Sequence, residues 1–125
     1  MSRLNGDARK ALLYELDGTL GNALGKTLDR CGWEPVTVAS DQKLARAEIV
    51  FCNFTREVLA AALCRFKNLP VVVVSRLPEV DGWLDALEAG AADYCAAPFD
   101  AVQIGWLLDT HTGGRERVRH AAAAA

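Results

Sequence analysis

Five short apolar runs alternate with helix-like segments along most of this 125-residue chain. Each run is too short for a buried helix and is bounded by polar or turn-forming residues, so each predicts a strand. The five predicted strands are residues 11–15, 35–39, 49–52, 71–74 and 93–96. Strands that alternate with helices pair in parallel, in a sheet that helices cover on both faces. The alternation therefore predicts an α/β domain with a parallel sheet.

The segments between the strands carry helix signals. Leu20, Leu24 and Leu28 form an apolar stripe at helical spacing, and Gly32 is suited to end that helix. Including this one, the predicted helices are residues 20–30, 41–47, 57–66, 83–89 and 101–110. The second has room for only about two turns. Five strands and five helices, with a shortened second helix, fit a flavodoxin-like doubly wound fold of strand order 2-1-3-4-5, whose ligand crevice lies at the carboxyl ends of the strands.

The composition narrows the possible classes of function. Hydrophobic residues make up 51% of the chain and its net charge is −2, so direct nucleic-acid binding by this domain is not expected. No apolar run is long enough to span a membrane and no apolar leader begins the chain, so we expect a cytoplasmic protein. None of the four cysteines lies in a C-x-x-C pair, so we expect buried, reduced thiols and neither a metal site nor another cofactor. They are Cys31, Cys52, Cys64 and Cys95.

A pair of glycines marks the predicted end of the domain. Residues 1–112 are predicted to form the domain, and Gly113 and Gly114 follow its last helix. Residues 113–125 combine a basic stretch with five alanines, which fits a helix start, a linker or an artificial tail.

The closing segment carries the most specific motif. Residues 86–100 read A-L-E-A-G-A-A-D-Y-C-A-A-P-F-D, and they resemble the end of response-regulator receiver domains, A-L-x-x-G-A-x-D-Y-L-x-K-P-F. The resemblance covers residues 10–110. It implies a cis peptide bond before Pro98 and places Tyr94 at the aromatic switch position. Ser75 directly follows the fourth predicted strand, lies 22 positions before Ala97, and matches the family's Ser or Thr.

The same resemblance implies that the phosphorylation pocket is degenerate. The acidic pair that holds magnesium in the family becomes Glu15 and Leu16, and the phosphorylated aspartate becomes Asn53. The lysine that binds the acyl phosphate becomes Ala97, beside the retained Ser75. An amide is a very poor nucleophile, and leucine offers magnesium no oxygen ligand. The resemblance thus implies a pseudo-receiver that neither accepts a phosphoryl group nor binds magnesium tightly.

Two other signatures overlap the start of this region. Residues 15–20 resemble the opening D-x-D-G-T-L of haloacid-dehalogenase-like phosphatases, but Glu15 occupies the nucleophile position and no later metal motif follows. Residues 21–27 resemble a P-loop that is one residue too short to wrap phosphates. Both motifs fit the chain less well than the receiver motif, so we do not expect an enzyme.

The resemblance also implies a partner surface. In the family, the fourth helix, fifth strand and fifth helix form a face for dimerisation and effector contacts; here its candidates are Trp83, Leu87, Tyr94, Val102, Gln103 and Trp106. Two questions stay open: whether Trp106 packs on Trp83 or Tyr94 within the chain, and whether Ser75 and Tyr94 are a switch or plain structure.

The sequence therefore predicts a phosphorylation-independent protein-interaction or dimerisation module of a bacterial-type signalling or transcriptional regulator. An effector domain is expected beyond Gly114. Two alternatives are a domain that binds a small ligand in the former phosphate crevice and, with less support, a small phosphatase-like enzyme.

Overall fold

The computed structural model describes residues 9–38, 47–76 and 80–113, which contain a five-stranded parallel sheet. The strands follow the order β2-β1-β3-β4-β5, as predicted, and each neighbouring pair is parallel. Their bounds are Arg9–Tyr14 for β1, Trp33–Val38 for β2, Ile49–Asn53 for β3, Val71–Ser75 for β4 and Asp93–Ala96 for β5. The predicted strand boundaries differ from these by at most two residues.

Four α-helices lie in the described residues, and the last of them runs into a short π-helical turn. The helices are Gly18–Arg30 (α1), Arg56–Arg65 (α2), Val80–Ala89 (α3) and Ala101–Leu108 (α4), and the turn is Asp109–Gly113. The predicted short helix at residues 41–47 falls mainly in 39–46, outside the described residues, so it stays a prediction. The helices counted fourth and fifth in the sequence are therefore α3 and α4.

Polar side chains begin three of these helices. Asp17, Thr55 and Asp100 each accept a hydrogen bond from the backbone N–H three residues later, at 2.9, 3.2 and 3.0 Å. Such caps satisfy donors that the first helical turn leaves free. Thr and Asp are residue types that favour the cap position, so the local sequence at Thr55 and Asp100 is consistent with both caps. No cap was predicted at Asp17, because α1 begins two residues before its apolar stripe.

Each face of the sheet has its own core, since alternate residues of a strand point to opposite faces. On one face, α1 and α4 pack Leu24, Leu28 and Ile104 against Leu13 and Phe51. On the other face, the core joins side chains of α2 and α3 to alternate strand residues; it includes Leu59, Ala62, Ala86, Tyr14 and Cys52. Because all five strands are parallel, their carboxyl ends lie at the same edge of the sheet. Among the described residues, no helix has the length and apolar character that a membrane crossing requires.

Candidate functional site

The five predicted pocket residues lie together at the carboxyl edge of the sheet. Glu15 and Leu16 follow β1, Asn53 ends β3, Ser75 ends β4, and Ala97 follows β5. The strand register aligns them: Asn53 pairs with Val74, and Ser75 pairs with Ala96. We call these strand ends and the loops that follow them the crevice edge. This is the edge at which open α/β sheets bind ligands.

Three side chains at the crevice edge lack the groups that phosphoryl transfer uses. Asn53 is half-buried, and its Oδ1 accepts a 3.0 Å hydrogen bond from the Phe54 N–H, so β3 ends in a neutral amide, which is a very poor nucleophile. Leu16 and Ala97 are partly buried and pack against the α1–α4 core. Neither side chain offers an oxygen ligand or a positive charge. Within the described residues, no cluster of three or more His, Cys, Asp and Glu side chains could hold a metal ion.

An ion pair that the sequence did not predict joins two loops of the crevice edge. The Arg76 Nη2 donates to the Asp17 Oδ2 at 2.7 Å, while the Asp17 Oδ1 caps α1. The pKa of the Asp17 carboxyl is lowered, first by the hydrogen bond from the Leu20 N–H; partial burial opposes this, and the Arg76 charge lowers the pKa further. The Asp17 carboxylate at the crevice edge is therefore already paired with a cation, supplied by the protein itself.

Glu15 adopts an unusual backbone conformation at the turn that leads into α1. Its φ is 57°, the only positive φ of a non-glycine residue in the described part of the chain. A non-glycine residue in this left-handed region costs about 1–2 kcal/mol. The turn leaves the Glu15 side chain exposed and is followed at once by Leu16 and by Asp17, which caps α1. Of the two carboxylates in this loop, the Glu15 carboxylate is therefore exposed, whereas the Asp17 carboxylate caps α1 and is paired with Arg76.

Tyr94 lies between two other aromatic rings. Its ring centroid is 6.0 Å from that of Phe54, edge to face, and 6.3 Å from that of Trp83, stacked. Both arrangements are favourable geometries for aromatic pairs. The Tyr94 ring is thus held on the α2–α3 side of the sheet, where it joins that core. The sequence indicated neither contact, because Phe54 is 40 positions away.

The predicted partner face divides into two exposed apolar patches. The α3 patch consists of Trp83 and Leu84, which are 40% and 52% exposed. The α4 patch consists of Val102 and Trp106, which are 79% and 68% exposed. Leu84 was not among the predicted interface residues. The remaining candidates are exposed Gln103 and half-buried Leu87 and Tyr94.

The exposure of Trp106 answers the question whether its ring packs on Trp83 or Tyr94 within the chain. The interpretation that Trp106 packs on Trp83 or Tyr94 is wrong, because Trp83 stacks on Tyr94 instead and Trp106 remains 68% exposed.

The Ala97–Pro98 peptide bond is cis, the geometry that the motif implies.

The thiols differ in exposure, which corrects the expectation of four buried cysteines. Cys52 and Cys95 are buried, but Cys31 is half-buried and Cys64 is exposed. Burial raises the pKa of the Cys52 and Cys95 thiols to about 12, so both are protonated at neutral pH. Protonated thiols are poor nucleophiles and poor metal ligands.

Comparisons with known proteins agree with this geometry. No family model matches the chain. The response regulator protein FleR of Pseudomonas aeruginosa is 32% identical over 120 residues, which cover 86% of this chain and 25% of FleR. A putative response regulator from Chloroflexus aurantiacus has a TM-score of 0.68 at 18% identity, covering 82% of this chain and 96% of that one. NtrX from Brucella abortus has a TM-score of 0.71 at 23% identity, covering 92% of this chain and 30% of that one.

The chain spans about a quarter of the length of its curated relative FleR, so the match concerns one part of that protein. At 18% and 23% identity, these structural matches show that the chain shares the fold of the putative response regulator from Chloroflexus aurantiacus and of part of the NtrX chain.

Proposed function

We propose that this chain is a phosphorylation-independent receiver-like domain, a pseudo-receiver, which acts through protein contacts in a bacterial-type signalling or transcriptional regulator. The observation that carries the proposal is Asn53, which ends β3 where receiver domains have the phosphorylated aspartate. Its amide cannot form an acyl phosphate, because the nitrogen lone pair is delocalised and the oxygen is a weak nucleophile.

The rest of the crevice edge supports the same proposal. Phosphoryl transfer depends on a divalent cation and on positive groups that stabilise the charge developing in the transition state. Leu16 and Ala97 remove an oxygen ligand and a cation, respectively. Asp17 is paired with Arg76 at 2.7 Å, so binding a metal at Asp17 would require breaking an ion pair. Four separate changes thus act against phosphorylation.

The length of the relatives supports a role within a longer protein. This chain covers 25% of FleR and 30% of the NtrX chain. We propose that an effector domain follows Gly114 in the full-length protein. Contacts with partner proteins would use the surface of α3, β5 and α4, where the α3 patch and the α4 patch expose large apolar side chains.

The small-ligand alternative has less support than the sequence suggested. Loss of the family's lysine and aspartate predicted a crevice suited to a neutral or apolar ligand. Arg76 and Asp17 instead place a charged pair at its mouth. The phosphatase alternative needs Glu15 or Asp17 as nucleophile, but Asp17 is engaged by both the Leu20 N–H and Arg76.

The direct test is incubation with acetyl phosphate and Mg²⁺ followed by intact-mass measurement. We expect no phosphoryl adduct on the wild-type chain, whereas a receiver domain with an intact aspartate, treated in parallel, gains one. The matched variant Asn53→Asp restores the carboxylate alone. We expect it to remain unmodified or nearly so, since Leu16, Ala97 and Arg76 are unchanged. A phosphoryl adduct on any carboxylate of the wild-type chain would contradict the proposal.

A further inference from the structure

The Arg76–Asp17 ion pair joins two loops of the crevice edge that are far apart in the sequence. The Arg76 Nη2 lies 2.7 Å from the Asp17 Oδ2, and the two residues are 59 positions apart. Asp17 is a fixed anchor, because its second carboxylate oxygen, Oδ1, accepts the hydrogen bond from the Leu20 N–H that begins α1. The pair therefore attaches the residue that follows β4 to the first turn of α1.

A backbone hydrogen bond extends this connection to the loop after β5. Ser75 ends β4 directly before Arg76, and its carbonyl oxygen accepts a 3.0 Å hydrogen bond from the Ala97 N–H. On the other side of Arg76, α3 begins four positions later, at Val80. The loops that follow β1, β4 and β5 are thus linked across the crevice edge by one ion pair and one backbone hydrogen bond.

The charges of the crevice edge make this connection depend on one side chain. Among the described residues of that edge, Arg76 alone carries a positive charge. The side chains of Arg76 and Asp17 are 63% and 38% exposed, so salt can screen their attraction. An exposed ion pair of this kind shifts a conformational equilibrium by about fivefold at most. Its effect should therefore be small, sensitive to salt and confined to the loops that it joins.

We infer that the Arg76–Asp17 pair is a strap that holds the end of β4 against the start of α1 without a phosphoryl group or a metal ion. The inference rests on the proposed function and names the contact that favours one shape of the crevice edge. When the strap is released, the end of β4 moves away from α1 and the hydrogen bond between Ser75 and Ala97 opens more often. Because α3 follows Arg76 closely in the chain, release also allows the α3 patch to shift.

Amide hydrogen exchange of the 125-residue chain, followed by NMR, tests the inference at the Ala97 N–H. We expect this amide to exchange about threefold to fivefold faster in Arg76→Ala than in the wild-type chain, because the open state becomes more populated. Asp17→Asn should have the same effect, since its amide oxygen can still cap α1 and only the charge is lost. The double variant should exchange no faster than either single variant, because both changes remove the same contact.

Salt and matched variants separate the strap from a general loss of stability. About 0.5 M sodium chloride should bring exchange of the wild-type Ala97 amide close to the rate of the variants and leave the variants unchanged. Arg76→Lys retains a cation and should restore most of the slow exchange. Glu15→Gln removes an exposed neighbouring carboxylate and should leave the rate unchanged. The Thr55 N–H, which donates to the Asn53 carbonyl in a loop outside the strap, should keep its rate in every variant.

Unchanged exchange at Ala97 in both Arg76→Ala and Asp17→Asn overturns the inference. Equal acceleration at Ala97 and Thr55 also overturns it, because the effect would then be general and not confined to the joined loops. Either result leaves the mass experiment and the pseudo-receiver proposal unaffected. A phosphoryl adduct in the mass experiment, by contrast, would refute the pseudo-receiver proposal and leave these exchange rates as they are.

Discussion

The closing segment keeps the residues of the receiver motif that shape the backbone, whereas the crevice edge differs from the motif in its chemical groups. In residues 90–98 the motif positions that shape the backbone are retained: Gly90 has a φ of +119°, and the bond before Pro98 is cis. At the crevice edge, the positions to which the proposed function assigns the lost phosphoryl chemistry hold an amide, Asn53, and a small apolar residue, Ala97. The comparison indicates that the demands of the fold and the demands of phosphoryl transfer fall on different residues, so one set can change while the other stays.

The largest effect is expected where backbone shape is retained. Gly90→Ala should lower the free energy of unfolding by about 1–3 kcal/mol, because an alanine is strained in this region of φ. Its Cβ would also lie 3.3 Å from the Leu63 Cδ1. Urea denaturation measures the change.

Gly105→Ala is the matched control for Gly90→Ala. Gly105 is in the interior of α4, and a Cβ there meets only ordinary contact with Cys31. Alanine should therefore raise the free energy of unfolding by up to about 1 kcal/mol. Equal effects of the two substitutions, in size and sign, would show that Gly90 is not retained for its backbone conformation.

A smaller effect is expected at the crevice edge, in the titration of Asp17. Arg76→Ala should raise the Asp17 carboxyl pKa, because a positive charge 2.7 Å away is removed. The pKa should stay below its usual value, since the Leu20 N–H hydrogen bond, the larger cause, remains. Carboxyl-carbon NMR during a pH titration measures both values. Lys26→Ala, on the exposed side of α1, is the control and should leave the Asp17 pKa unchanged.

The sign of the accompanying pH dependence follows from the lowered pKa. A carboxyl with a lower pKa in the folded chain stabilises the fold above its unfolded value of about 3.9. This contribution is lost as the pH falls through the folded value. The difference in stability between the wild-type chain and Asp17→Asn should therefore be constant near neutral pH and diminish in acid. A difference that instead grows in acid would mean that Asp17 is not stabilised as a carboxylate.

The sequence predicted the strands and most helix boundaries because these depend on local patterns, and the strand order followed from the doubly wound fold that the alternation fits. Apolar runs, Gly90, Thr55 and Asp100 each act within a few residues of their own position. The Arg76–Asp17 ion pair joins residues 59 positions apart, and no local pattern indicates it. The same limit applies to the Phe54, Tyr94 and Trp83 contacts. The resemblance implied that Val102 and Trp106 belong to one partner surface, but only the packed structure shows that the Trp106 side chain is 68% exposed among the described residues.

The central claim is that the crevice edge no longer responds to phosphoryl donors. Two-dimensional amide NMR of the isotopically labelled chain tests it directly, with Mg²⁺ added first and acetyl phosphate second. The account predicts that the signals of residues 15–17, 53–54, 75–76 and 97 keep their positions through both additions. Saturable shifts at residue 53 together with residue 75 or 97 would contradict it.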